Sequence, residues 1–188
     1  MALVLNEEQV MLKESAAGFL AENATVAHLR ALRDSNSERG FSDDVWGEMV
    51  QMGWAGIAIP EAFGGLGYGY TGLGLLLEQA GRNLSASPLQ STVLVAATLI
   101  GELGSARQKE ALLPAIAAGQ KLVSLALQEG PHHAPQQSAL SAAVNEGDYI
   151  LNGTKVMVLD AVSAHTFIVI ARTSGTPGEE QGLSAFLL

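Results

Sequence analysis

Gly67, Gly69 and Gly72 stand at the spacing of a dinucleotide-binding fingerprint, in which glycines let the backbone approach a pyrophosphate at a helix N-terminus. That chemistry needs a strand directly before the glycines and a second strand carrying an acid about 20 residues later. Here Pro60 and a long loop come before them and a helical pattern follows, so the spacing reads as a surface turn. His132 and His133 are adjacent, as a metal site would like, but no further His or acid lies nearby at ligand spacing. Neighbouring histidines on an extended chain also point in different directions, so the pair reads as a solvated loop. His28 and His165 are isolated. There is no G-x-S-x-G nucleophile elbow, no obvious carboxylate pair and no cysteine. These residues yield neither a catalytic set nor a metal site.

The elements that position any site are mostly helical at first. In 188 residues there are 28 Ala and 27 Leu, the residue types that lose least on entering a helix. Only 15% of residues are charged and 48% are apolar, which excludes disorder over most of the chain. The net charge of −9 gives no basic footprint for nucleic acid. The most apolar run, Thr92 to Gly101, is far short of the ~20 residues that span a bilayer. The start, from Met1 to Glu7, is acidic and lacks the basic region of a leader. Together with the missing cysteines, this points to a cytoplasmic, reducing location.

Asn6, Ser42 and Ser105 are placed to cap helices, with Gln108 completing a capping box. Helices are expected over 7–22, 26–33, 43–52, 71–83, 89–103 and 106–118. After Gly119 the period changes. Leu122–Leu127, Ala139–Val144, Tyr149–Leu151, Lys155–Leu159, Thr166–Ala171 and Leu183–Leu188 read as strands, Asn145-Glu146-Gly147-Asp148 reads as a turn, and Asn152-Gly153 reads as a hairpin dipeptide. The fold class expected is α+β: an all-helical domain over 1–119, then a truncated antiparallel β-domain over 120–188. Exposed sheet edges go with it, and with them self-association or partial disorder around Pro131–Gln137 and Thr173–Gln181 is expected.

Four segments, in order, resemble the acyl-CoA dehydrogenase family. They are Trp54-Ala55-Gly56-Ile57-Ala58-Ile59-Pro60-Glu61-Ala62-Phe63-Gly64-Gly65-Leu66-Gly67; Glu78-Gln79-Ala80-Gly81-Arg82; Gly104-Ser105-Ala106-Arg107-Gln108-Lys109 with Leu113-Pro114 and Gly119; and Ala126-Leu127-Gln128-Glu129 with Gly147 to Lys155 and Ala171-Arg172. The resemblance implies an oxidoreductase that binds FAD and converts an acyl-CoA thioester to the enoyl-CoA. It implies an oligomer, homo- or hetero-, and an electron-transfer flavoprotein or similar acceptor as partner. It also implies a C-terminal helical bundle, absent from these residues, which in most branches carries the glutamate that takes the α-proton. The fragment alone is then expected to be inactive.

The same resemblance places flavin contacts at Leu125, Leu127, Gln128, Met157, Val158 and Leu159. Gln128 stands where the family has a threonine. Ala134 replaces the serine of a G-S-D loop, and Met157-Val158-Leu159 replaces W-I-T. These departures suit either a divergent enzyme or a non-catalytic partner subunit of a heteromeric dehydrogenase. Leu127 and Met157 read equally as ordinary sheet residues.

Overall fold

The computed structural model describes residues 4–188; Met1–Leu3, the start of the segment read above as no leader, lie outside the described residues. Helix α1 (Glu7–Asn23) starts at a full capping box, Asn6 accepting from the Gln9 amide and Gln9 reaching back to the Asn6 amide. Helices α2 (Val26–Asp34) and α3 (Asp43–Gln51) begin at Thr25 and Ser42, whose hydroxyls accept from backbone amides three residues on. Two short 3-10 turns, Trp54–Gly56 and Glu61–Phe63, lead into α4 (Gly69–Asn83). The Gly67–Gly72 spacing therefore follows a 3-10 turn, and Gly72 lies within α4 against the Tyr68 ring.

The apolar stripes of α1, α3 and α4 meet around Leu20, Met49, Trp54, Leu73 and Leu76, all buried. Phe19 packs edge-on to Trp54, with centroids 5.5 Å apart.

The span expected as one helix over 89–103 is divided. Leu89–Ala96 is π-helical and runs directly into α5 (Ala97–Leu103). In the wide stretch Thr92 Oγ1 accepts from Val123 N at 3.1 Å and donates to Val123 O at 3.0 Å. Such wide turns are uncommon and mark places where a helix serves something other than its own ladder; here it joins the helices to the sheet. Helix α6 (Ala106–Ala117) has the predicted Ser105/Gln108 capping box.

The strands are β1 (Val123–Ala126), β2 (Ser141–Asn145), β3 (Asp148–Asn152), β4 (Thr166–Arg172) and β5 (Leu183–Leu187). The α+β class holds, but the sheet is mixed rather than purely antiparallel. β1 runs parallel to β4 in the register Val123↔Thr166 to Ala126↔Val169, and β2 bridges β4 in parallel at Ser141↔Arg172. The β2–β3 and β4–β5 pairs are antiparallel. Parallel pairing needs a long crossover, and residues 127–165, which include the β2–β3 hairpin, supply it. That hairpin turns at Glu146 and Gly147, both at positive φ, whereas Asn152-Gly153 only ends β3.

Lys155–Leu159, expected as a strand, is irregular, with Met157 and Asp160 in the left-handed region at φ 53° and 51°. Its local β-preference yields to tertiary anchors described below. One face of the sheet packs on the helices through Ile100, Leu113, Ile116, Val123 and Ile168; the other gathers Ala126, Leu140, Ala142, Val169 and Ala171.

One buried side chain spans the loops at Pro131–Gln137 and Thr173–Gln181. Arg172 is 6% exposed and donates to the carbonyls of Gln136, Ser138, Ser174, Glu179 and Gln181 at 2.8–3.4 Å. No helix among the described residues is long and apolar enough to cross a membrane.

Candidate functional site

At the C-terminal end of β1 the chain leaves the sheet at Leu127-Gln128-Glu129. It crosses a loop with a 3-10 turn at Pro135–Gln137 and returns at Ser138. The loop bounds an open cleft whose wall includes Leu127, Gln128, Gly130, His132, Ala134 and Gln137. A Cβ built on Gly130 would meet nothing within 4 Å, so the backbone there lies bare to the cleft.

The segment after β3 is drawn to the same place. Val156 N donates to Gln128 O at 2.8 Å, and Lys155 Nζ donates to Leu127 O at 3.1 Å. Lys155 Nζ also pairs with Glu129 Oε1 at 2.6 Å and Ser138 Oγ at 2.9 Å, with side chains 6% (Lys155) and 20% (Glu129) exposed. Glu129 further accepts from the Ser138 hydroxyl and the amides of Ala139 and Leu140. Burial raises its pKa, but the bonds from Lys155, the two amides and Ser138 outweigh that and bring it down to about 2. Glu129 is thus a fixed anion, fully occupied, and a poor proton acceptor at neutral pH.

A second anchor holds the far end of that segment. Ser91, buried in the π-helical stretch, donates to Asp160 Oδ2 at 2.5 Å, and Ser124 Oγ donates to Leu159 O. Leu122 N donates to His165 Nδ1 at 2.9 Å and His165 N to Leu122 O at 2.8 Å. Burial, then the positive charges of Arg39 and Lys121, lower the His165 pKa, in keeping with a ring nitrogen that accepts.

Of the six residues expected at a cofactor, Leu127 and Gln128 line the cleft. Leu125 is half-buried in the seam against the helices, and Val158 packs half-buried on the outer face of the sheet. Met157 and Leu159 are 75% and 54% exposed, large apolar side chains turned outward beside the cleft segment. Gln128 Nε2 lies 2.8 Å from His133 Nδ1. Among the described residues no group of three or more His, Asp or Glu is placed to hold a metal.

Sequence reasoning missed the Lys155–Glu129 pair, the Ser91–Asp160 contact, the Gln128–His133 contact and the Arg172 hub. Lys155 and Glu129 are two of several charged residues in the β region, and nothing in their spacing marks them as partners. The others join residues far apart in sequence, or in a loop with no periodicity.

Apolar side chains, the amides of Gln128 and Gln137, the His132 ring and bare backbone, with the one carboxylate on the wall already paired, suit a flat heterocycle with a polar edge. Comparison with known proteins bears on which one. A family model described as "Acyl-CoA dehydrogenase, N-terminal domain" matches residues 6–120. The mitochondrial isovaleryl-CoA dehydrogenase of Arabidopsis thaliana is 31% identical over 194 residues, covering 100% of this chain and 46% of the relative. The solved Tcur3481-Tcur3483 steroid ACAD superposes with a TM-score of 0.83 at 33% identity, over 97% of this chain and 48% of that one. The FAD complex of PigA superposes at 0.80 with 25% identity, over 100% and 49%. The chain spans about half the length of the curated relatives it matches.

Proposed function

The chain belongs to the acyl-CoA dehydrogenase family, and on that premise we propose that it forms part of an FAD-dependent enzyme that oxidises an acyl-CoA thioester to the enoyl-CoA. The carrying observation is the cleft at the end of β1, where Leu127 offers an apolar wall and Gln128 an amide for a ring edge. Bound FAD would supply the two-electron acceptor for the hydride leaving the β-carbon. Leu127, Gln128, Met157 and Leu159 would hold it, with Leu125 and Val158 supporting them from the two faces of the sheet.

In this reading residues 1–119 form a helical domain and residues 120–188 the first part of a β-domain. Glu129 cannot serve as the base, because its carboxylate is held at a pKa of about 2. The α-proton acceptor is then not this carboxylate, and the 188 residues by themselves are expected to give no turnover. An electron-transfer flavoprotein or similar acceptor, an oligomeric assembly and a cytoplasmic location complete the proposal.

A second reading, a non-catalytic subunit that completes a partner's site, is favoured by one observation. The hydroxyl and indole groups of the family pattern are replaced at Gln128, Ala134, Met157 and Leu159. The two readings part in an FAD titration of the full polypeptide containing these residues. The parent should bind FAD with a protein-perturbed absorption spectrum, and Leu127→Asp should weaken binding at least about tenfold, since it buries a charge against the ring. If the parent binds no flavin while remaining folded, the subunit reading takes its place.

A further inference from the structure

We propose that His133 is a positioning residue for Gln128, holding its amide so that the free edge meets the flavin. The inference rests on the FAD reading above and concerns how that site is completed. Gln128 is part of the cleft wall and His133 is not, yet Gln128 Nε2 and His133 Nδ1 are 2.8 Å apart. The imidazole, on an exposed part of the loop, thus meets the amide from outside the cleft wall.

The backbone of Gln128 and the loop that follows His133 are held independently of this contact. The Gln128 carbonyl is taken by Val156 N at 2.8 Å. The His133 loop is closed by Gln137 N on Ala134 O at 2.9 Å and Ser138 N on Pro135 O at 3.1 Å, and Arg172 Nη2 ties Gln136 O at 2.8 Å. A free glutamine side chain loses substantial rotamer freedom when a ligand orders it. An amide already bonded to a ring on an anchored loop loses less, which is preorganisation for binding.

The contact also sets polarity. With Nδ1 as the acceptor, the contact uses an N–H of the amide and leaves Gln128 Oε1 free. The site therefore offers an acceptor to a ring N–H where the family pattern offers hydroxyls, lost here at Gln128 and Ala134. Two residues acting as a unit replace them.

The test is FAD affinity and the bound-flavin absorption spectrum of the full polypeptide, measured for Gln128→Ala, His133→Ala, the double variant and His133→Asn. Each alanine variant should weaken FAD about tenfold, and the double should be no weaker than the weaker single, as coupled neighbours behave. His133→Asn, whose amide oxygen can accept where Nδ1 does, should restore affinity to within about threefold of the parent and recover its spectrum. A purely structural role for His133 would move the urea midpoint and leave the spectrum of the remaining bound flavin unchanged. Parent-like binding by His133→Ala, or a double variant equal to the product of the singles, overturns the positioning role. Leu127→Asp separates the two levels. If it loses FAD while His133→Ala does not, only the positioning role fails. If it binds FAD as the parent does, or the parent binds none, the FAD reading fails and the inference with it.

Discussion

Lys155 and Glu129 decide whether the cleft exists. They lie 26 residues apart, and the pair closes the loop over Ser138 while Lys155 also holds Leu127 O. Removing one partner of a buried pair leaves an uncompensated charge, so Lys155→Met should destabilise by about 3–5 kcal/mol, read from the urea midpoint. The pH dependence has a definite sign. The Glu129 carboxyl falls from an ordinary 4.5 to about 2 in the folded protein, so the unfolded chain takes up the proton first as pH drops. About 3 kcal/mol of stability follows from that difference; it is fully present above pH ~4.5 and lost as pH falls towards 2. Lys155→Met should flatten that acid limb, and a variant that keeps the limb's full depth would contradict the pairing. Both residues were visible in the sequence as members of a resembling motif. Their partnership was not, because nothing local to either marks the other.

At the scale of elements, caps and periodicity were legible where the physics is local. Asn6, Ser42 and Ser105 begin helices as their side chains require, and β1, β4 and β5 follow the apolar runs. What failed was decided from a distance. Val156–Leu159 has β-preference but is claimed at one end by Gln128 O and at the other by Ser91 and Ser124, so it leaves the ladder. The glycine-rich loop hides two different demands in one dipeptide. Gly64 sits at φ 77° with nothing within 4 Å of an added Cβ, whereas a Cβ on Gly65 would lie 2.0 Å from Ile59 O. Gly64→Ala should therefore destabilise by about 1–2 kcal/mol, the cost of a left-handed L-residue. Gly65→Ala must displace backbone and should destabilise by about 3 kcal/mol or more. Chemical denaturation of both variants checks the order; equal losses would mean that the approach to Ile59 relaxes freely.

The whole molecule depends on the seam between helices and sheet, which composition and period could not reveal because it is built from single contacts across the chain. Thr92 closes both backbone groups of Val123, Ser91 holds Asp160, and Ile100 and Ile116 pack on Val123 and Ile168. A continuous seam of this kind couples the two layers, so they should unfold together. The molecule carries its own probe: both tryptophans, Trp46 and Trp54, are buried in the helical part, remote in the fold from Arg172. Arg172→Met removes the guanidinium from five carbonyls of the sheet loops, of which Gln136 O keeps Gly178 N as a donor. With charged hydrogen bonds worth about 1.5–3 kcal/mol each and water able to reach the outer loops, a loss of about 3 kcal/mol is expected. In a coupled molecule the tryptophan fluorescence midpoint in urea falls by the same amount as the far-UV CD midpoint, although no tryptophan touches the substitution. A fluorescence transition that stays where the parent's lies, while the sheet melts early, would mean that the seam is a contact between independent units. In that case the anchors at Ser91 and Thr92 would orient the cleft segment without sharing its stability.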